Sequence, residues 1–557
     1  MTRFLWLGLV LLICLPVAVL ATGVHVSWLD RMAGAPRLLP LSSPDQEMAW
    51  LHTTTNGTTW ERFVSGFVRA QMTVPGLEVD DSNAFNDSTT TIPEVVLSLR
   101  GREGKLRIRW YKLTGEATAD HWVQALAKRE RPPLAVIGGG SSDRAVDLAR
   151  ALDRQKVWHG DRPLMLLTTA TADELKPEDD DSDEANVAKM LRPMRKNLID
   201  VYDDRSFRFC FTNRQMAEAV LDFAWQSSRL HPEQPGLVAT AAVASGLLMA
   251  VKPNLPATAT PKVLSVVWKD DPFSTDLHER FGDALRGKAH LETWEVHYSI
   301  GGFSTPNFYE AKTAEAILSY CRENPAQHTV LVLPTVTIPA RRLLRTIMES
   351  EPQLRDRLVV VTGDGIPVNA FYRDGEFAWP IHAMPVPVVL FTHHNPVGWD
   401  TPDQNPQPPV GYELLPPNST EDVLHFAEMG RVLAEACYPT PESTVQTVGG
   451  IITRSDDLIT QFRNRRPALF DDNGERLGGT GEYVVVVKPL SAEPNPIGRP
   501  RPDAKLEVYR RRADNGWEPI RTLEIEQRRG KSAFVPKLPR QPDDRTAAPP
   551  IHGGRPG

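Results

Sequence analysis

Apolar residues in this chain collect into short runs separated by amphipathic stretches. Leu134-Ala-Val-Ile137 and Leu164-Met-Leu-Leu167 are two such runs. Each leads into a loop of small residues, Gly138-Gly-Gly-Ser-Ser142 after the first and Thr168-Thr-Ala-Thr171 after the second. A helical pattern then starts at Asp143 and at Ala172. Apolar runs of this length without polar alternation read as strands buried on both faces, as in parallel sheets. The phrase returns at Lys262-Val-Leu-Ser-Val-Val-Trp268, Thr329-Val-Leu-Val-Leu333, Arg357-Leu-Val-Val-Val361 and Val386-Pro-Val-Val-Leu-Phe391. Strand and helix patterns alternate, which predicts an α/β architecture. Ligands in such sheets sit at the carboxyl ends of the strands, where loops meet helix N-termini.

Residues 47–53 read as a first strand, followed by a turn at Asn56-Gly57. The helix after it would be capped by Thr58 or Thr59, with Trp60, Phe63, Val64 and Phe67 on one face. Residues 75–93 read as a surface loop. Strands at 94–99 and 105–111 are joined by Arg100-Gly-Arg-Glu-Gly104, a hairpin signal. Helices are expected at 119–128 and 213–225, with a short strand at 204–211 before the second. Beyond residue 262, helices are expected at 277–285, 307–322 and 340–348, and strands at 294–299 and 483–488. Residues 419–437 read as an amphipathic helix burying Leu424, Phe426, Met429, Val432 and Leu433. Asp471-Asp-Asn-Gly474 reads as a hairpin turn. The tail from residue 531 is rich in Pro, Gly and Arg and is expected to be disordered.

The first residues change the picture. Arg3 precedes an uncharged apolar run, residues 4–21. Its length lies between a signal-peptide core and a membrane-spanning helix. Val19-Leu-Ala21 is a passable cleavage site, so both a cleaved signal and an uncleaved anchor stand. Either sends the rest of the chain across a membrane.

The formal charge of −7 over 557 residues argues against a general nucleic-acid binder. The length allows two or three domains. Four cysteines, Cys14, Cys210, Cys321 and Cys437, lack metal-ligand spacing and form no disulfide framework. Buried free thiols are the expected fate of the last three. The acidic run at 178–184 lacks the glycine and distal glutamate of a calcium loop and reads as a solvated segment. His393 and His394 are adjacent, so they would point apart, and no metal site is expected. There is no Gly-x-Ser-x-Gly elbow, no His-Glu-x-x-His and no Gly-x-x-x-x-Gly-Lys-Ser/Thr phosphate loop. No catalytic residue is therefore assigned, and no cofactor is expected.

The two organising loops in their order resemble those of the type I periplasmic binding proteins, the group of the leucine/isoleucine/valine-binding proteins of ABC importers. Three further stretches extend the resemblance. Lys269-Asp-Asp-Pro-Phe-Ser-Thr-Asp276 is similar to the family's second-lobe opening, with Phe273-Ser274 where Tyr-Gly is usual. Thr362-Gly-Asp-Gly365 stands where amino-acid binders carry a carboxylate. Asp471-Asp-Asn-Gly474 matches the family's late hairpin. The resemblance implies an α/β, two-lobed fold, each lobe a mainly parallel sheet flanked by helices. It implies lobe 1 at 45–235, lobe 2 at 236–395, and a return segment at 396–530 whose helices pack back on lobe 1. By the same resemblance Ser141, Ser142, Thr169 and Thr171 would hold a ligand carboxylate, Phe273 would pack on the ligand, and Asp364 would pair with its amine. Arg208 would fix a sheet edge or a carbonyl of a ligand loop.

The function so implied is an exported solute-binding protein. It would close two hinged lobes on a small polar, amino-acid-like ligand and pass it to an ABC permease. It would be periplasmic or extracytoplasmic, with residues 4–21 as a potential inner-membrane anchor. The alternative keeps the fold and makes the chain a membrane-tethered sensor or scaffold. An enzyme using carboxylates outside known motifs is the third class.

Overall fold

The computed structural model describes residues 38–54, 57–85, 91–174, 197–202, 204–227, 230, 232, 260–297, 307–325, 328–351, 354, 357–368, 386–396, 421–440, 443, 445–479, 481–489 and 504–525. The apolar segment 4–21, the acidic run and the tail lie outside the described residues, as does most of 232–261, which spans the boundary expected between the lobes. Among the described residues no helix is long and apolar enough to cross a membrane.

The first sheet has seven strands. They are β1 (Gln46–Thr53), β2 (Leu77–Asp80), β3 (Glu94–Leu99), β4 (Leu106–Leu113), β5 (Ala135–Gly138), β6 (Leu164–Leu167) and β7 (Ser206–Arg208), in the order β2-β3-β4-β1-β5-β6-β7. From β4 to β7 the pairs are parallel, and the β2-β3-β4 edge is antiparallel. Strand β2 lies within 75–93, which the polar sequence had suggested was all loop. Its outward residues are polar because it is an edge strand with one face in water.

Side chains alternate along β1, and the alternation defines two cores. Met48 and Trp50 join Trp60, Phe63 and Phe67 of helix α1 (Gly57–Ala70). Ala49 and Leu51 join helices α2 (Ala119–Ala127) and α3 (Ser142–Arg154) on the other face. Helix α1 begins at Gly57, so Thr58 and Thr59 lie in its first turn rather than before it. Trp50, Trp60, Phe63 and Trp110 form one aromatic stack with centroids 5.0–5.5 Å apart.

The second sheet has eight strands. They are β8 (Lys262–Trp268), β9 (His290–Val296), β10 (Thr329–Val332), β11 (Leu358–Val361), β12 (Val388–Thr392), β15 (Tyr483–Pro489), β16 (Ala504–Arg511) and β17 (Trp517–Ile525). Their order is β17-β16-β15-β12-β11-β10-β8-β9. The β9-to-β12 half is parallel and the β15-to-β17 half antiparallel to its neighbours. The short pair β13 (Thr447–Val448) and β14 (Ile451–Ile452) stands apart. Strand β9 starts four residues earlier than its sequence pattern suggested, because its first four residues, His290 to Thr293, are exposed or only half-buried and mostly polar.

One face of the second sheet is covered by α6 (Phe308–Glu323) and α7 (Thr337–Ser350). The other is covered by α4 (Asn213–Gln226) and α5 (Pro272–Leu285). Helix α4 follows β7 of the first sheet directly, yet packs beside Val389 and Phe391 of the second. Helix α5 starts at Pro272, not Leu277: Asp271 caps it by accepting the Phe273 amide at 3.1 Å, and proline suits the first helical position.

Helices α8 (Glu421–Cys437) and α9 (Ser455–Asn464) return to the first lobe. Val423, Phe426, Met429, Val432 and Leu433 of α8 bury against α1. Leu424 is only half-buried, and His425 takes an inward position that the pattern had not given it. Gly66 makes the approach of the two helices possible, since a Cβ there would lie 2.5 Å from that of Phe426. Cys210, Cys321 and Cys437 are buried and free.

Candidate functional site

The loops after β5 and β6 are laced together. The Thr168 amide and hydroxyl both donate to the Gly138 carbonyl, at 3.0 and 3.2 Å. The Thr169 amide donates to Gly139 at 3.3 Å. Gly139 has φ +77°, where a side chain would be strained. Ser142 Oγ is buried and accepts the Ala172 amide at 3.2 Å. Ser141 holds the N-cap position of α3 without a side-chain cap bond. Thr171 is buried, and its carbonyl accepts the Asn213 amide at 2.8 Å. Arg208, fully buried, donates to the Ala172 carbonyl at 3.0 Å and pairs with Glu475 at 3.1 Å. The four hydroxyl residues are therefore gathered at the carboxyl ends of β5 and β6.

Phe273 and Asp364 are gathered in the second lobe. The Phe273 ring packs on the turn after β11, so that a Cβ on Gly365 would lie 2.9 Å from its Cε1. Asp364 Oδ2 accepts from His393 Nε2 at 2.8 Å. Its Oδ1 has no hydrogen-bond partner among the described residues.

Among the described residues, two contacts between the lobes bear on the site. At the first, Asp276 of α5 is 5 % exposed. Its carboxylate accepts the amides of Asp173 (3.1 Å) and Glu174 (3.4 Å) and the Asn213 side chain (2.7 Å). Burial, with Asp173 close by, raises its pKa, while Asn213, the Asp173 amide and Arg280 oppose the rise. Beside this contact a cleft of about 260 Å³ opens between α3 and α5. Ser142 and Ala172 line one wall, Pro272, Thr275 and Asp276 the other. Asp143, Asp147, Glu174 and Glu279 add carboxylates, against the single cation Arg150.

At the second place the contact is made of histidines. The Phe211 amide donates to His393 Nδ1 at 3.3 Å, which leaves the ring proton on Nε2, facing Asp364. His425 Nε2 lies 2.8 Å from the Thr168 carbonyl, which can only accept, so that nitrogen carries the proton. The two rings are 5.8 Å apart. Burial, reinforced by the neighbouring histidines and Arg476, holds His425 well below the usual imidazole range. Burial likewise lowers His394 to about 3. Glu428, beside them, is pushed up by burial but held down to about 2 by Arg476, 2.6 Å away, and the nearby histidines.

Neither Asp276 nor the histidine contact was singled out from the sequence. Asp276 falls in a run of charged and small residues that looks like surface. The one signal for it is its place four residues after Pro272, on the inward face of a helix that begins at that proline. Among the described residues, no group of three or more His, Cys, Asp or Glu is placed to hold a metal ion.

No family model matches the chain, and no curated protein matches it. Solved structures do. One is an ABC transporter substrate-binding protein from Desulfitobacterium hafniense in complex with Leu, 14% identical, covering 80% of this chain and 98% of that one at a TM-score of 0.43. Another is a solute binding protein of an ABC transporter from Rhodopseudomonas palustris HaA2 in complex with p-hydroxybenzoic acid, 11% identical, covering 86% and 98% at 0.46. A third is a branched chain amino acid ABC transporter protein from Thermus thermophilus with bound valine, 10% identical, covering 88% and 98% at 0.43. At these TM-scores the likenesses carry no argument, and the two α/β sheets rest on the strand order itself.

Proposed function

We propose that this chain is an exported solute-binding protein of the type I periplasmic kind, which closes its two lobes on a small polar, amino-acid-like ligand and passes it to an ABC permease. The cleft between α3 and α5 carries the reading. It lies at the carboxyl ends of the parallel strands of both sheets, where such folds place their ligands, and each lobe contributes one wall. Ser142 and Thr275 line it, Ser142 Oγ already accepting the Ala172 amide and Thr275 Oγ1 already donating to the Asp271 and Pro272 carbonyls, and the surplus of carboxylates suits a ligand bearing an ammonium group. Ser141, Thr169 and Thr171 follow strands β5 and β6, and Phe273 follows Pro272 of the other wall, without any of them lining the cleft. Asp364 would offer Oδ1 to an amine only where the cleft extends toward the histidines. Residues 4–21 would serve as export signal or inner-membrane anchor.

A thermal-shift screen of the full chain against amino acids, small amines, sugars and organic acids tests this. A ligand at about 100 times its Kd adds roughly 2.7 kcal/mol of apparent stability. A hit that Ser142→Ala and Thr275→Val both weaken supports the cleft. A hit insensitive to both, or a flat screen on folded protein, sinks it.

The membrane-tethered sensor or scaffold reading rests on a different observation. The path from the Thr168 loop to Asp364 is already spanned by His425 and His393. A lobe contact that needs no ligand would hold the two lobes together permanently. Small-angle scattering separates the readings. A radius of gyration that is unchanged by every ligand, and that rises in His393→Ala, favours the scaffold.

A further inference from the structure

A second cavity, of about 390 Å³, lies wholly within the first lobe, on the neighbouring face of α3. It sits where β1 and β5 run side by side. The helix after β1 covers one face of the sheet and the helix after β5 covers the other. Such a point leaves a crevice at the strand ends, which is the preferred ligand position in open α/β sheets. Its walls are of two kinds. Leu51, Leu113 and Leu148 make an apolar side, while Arg144, His52 and the bare backbone of Gly139 and Gly140 make a polar one.

Arg144 is the informative residue. Its guanidinium makes one long hydrogen bond, 3.4 Å to Thr53 Oγ1, and forms no ion pair among the described residues. The other arginine of the cavity, Arg154, is already engaged by both oxygens of Asp120 at 2.8 Å. His52 is 3 % exposed, and burial, followed by the charge of Arg144, holds it neutral at pH 7. It therefore adds no second positive charge. Asp147, on the ridge shared with the cleft, is the one carboxylate in the wall without an ion pair among the described residues. With Arg154 and Asp120 paired, Arg144 and Asp147 leave the wall neutral, so it suits a single added carboxylate on the guanidinium. A dianion would leave a charge unmatched beside Asp147.

We propose that this cavity binds a small monocarboxylate, with the carboxylate on Arg144 and the hydrocarbon part against Leu51, Leu113 and Leu148. The site stands apart from the cleft and does not depend on the function proposed for it. The planar fork of a guanidinium fits a carboxylate with two parallel hydrogen bonds, and the apolar wall gives the rest of the molecule a place out of water.

Isothermal titration of the full chain with sodium butyrate, and separately with inorganic phosphate, tests the assignment. Butyrate is expected to bind saturably and more tightly than phosphate. Arg144→Gln should weaken butyrate by about tenfold or more, the effect of losing a charge-assisted pair. Arg150→Gln, at a residue that lines the cleft and not this cavity, should leave butyrate binding unchanged. Asp147→Asn, at an exposed position, should tighten it, which keeps the test alive if the Arg144 variant does not fold. No saturable butyrate binding, loss of binding in Arg150→Gln, tighter phosphate binding, or weaker binding in Asp147→Asn would each overturn the proposal.

Discussion

The carboxylate of Asp276, in the first helix of the second lobe, accepts the backbone amide of Asp173, in a loop of the first, at 3.1 Å. A side chain thus completes the hydrogen bonding of another lobe's main chain. With the Glu174 amide and Asn213 on the same two oxygens, three donors depend on one residue. Asp276→Ala should cost about 3 kcal/mol, since buried donors left without acceptors lose both the bond and their hydration. Asp276→Asn keeps one acceptor oxygen and should cost about 1 kcal/mol. Urea titration gives both numbers, and equal losses would show that the amides find other partners.

The Glu428–Arg476 pair makes an acid-sensitive joint. Glu428 is lowered from the usual glutamate value to about 2, so it binds a proton less readily in the folded chain than in the unfolded one. Its contribution is complete above about pH 4.5 and is lost as pH falls toward 2, an amount on the order of 3 kcal/mol. Glu428→Gln should flatten the stability profile between pH 5 and 2, by roughly that amount. Denaturant midpoints across this range decide it, and an unchanged slope would assign the acid sensitivity elsewhere.

His52 acts at higher pH. Burial first, and Arg144 second, bring it from 6.5 to about 4, with a backbone bond to Thr53 opposing. The unfolded chain takes up this proton below pH 6.5 while the folded chain resists until about 4. Stability is therefore full above 6.5 and declines as pH falls to 4. Proton NMR should show a His52 ring signal that does not shift between pH 8 and 5.5. A midpoint near 6.5 would mean that water reaches the ring.

Gly66 is a prediction about volume. A methyl group there would meet the Phe426 Cβ at 2.5 Å and the Val423 carbonyl at 2.8 Å. Alanine favours a helix interior over glycine by about 1 kcal/mol, yet Gly66→Ala should destabilise by about 1–3 kcal/mol, because α1 and α8 must move apart. Thermal denaturation of the single variant measures the balance, and a rise in Tm would mean that α8 shifts freely.

Much of this architecture was legible because buried parallel strands leave plain marks. Leu134-Ala-Val-Ile137 and Leu164-Met-Leu-Leu167 became β5 and β6, paired in register and laced at their loops. The turn at Asp471 was also readable: Gly474 has φ +89°, and Asp471 Oδ1 accepts the amides of Asn473 and Glu475. Elements half in water were harder. Strand β2 and the early part of β9 carry polar residues on their exposed sides, which dilutes the apolar signal. The candidate site resisted for another reason. Asp276, His393 and His425 are polar residues buried by tertiary contact, and local pattern assigns polar residues to the surface. Phe273 was read as a turn residue because Pro272 hid the helix that it starts.

The return of α8 and α9 to the first lobe sets an order in time. Tyr438 bonds the Leu97 carbonyl at 2.8 Å and the Leu106 amide at 3.1 Å, across 341 and 332 residues. Arg62 meets Asp422 across 360. The ribosome adds about 5–20 residues per second, so the face of Phe63, Phe67 and Ala70 that α8 covers waits on the order of tens of seconds for its partner. Through that interval the nascent first lobe shows water an apolar helix face, the kind of surface that chaperones hold.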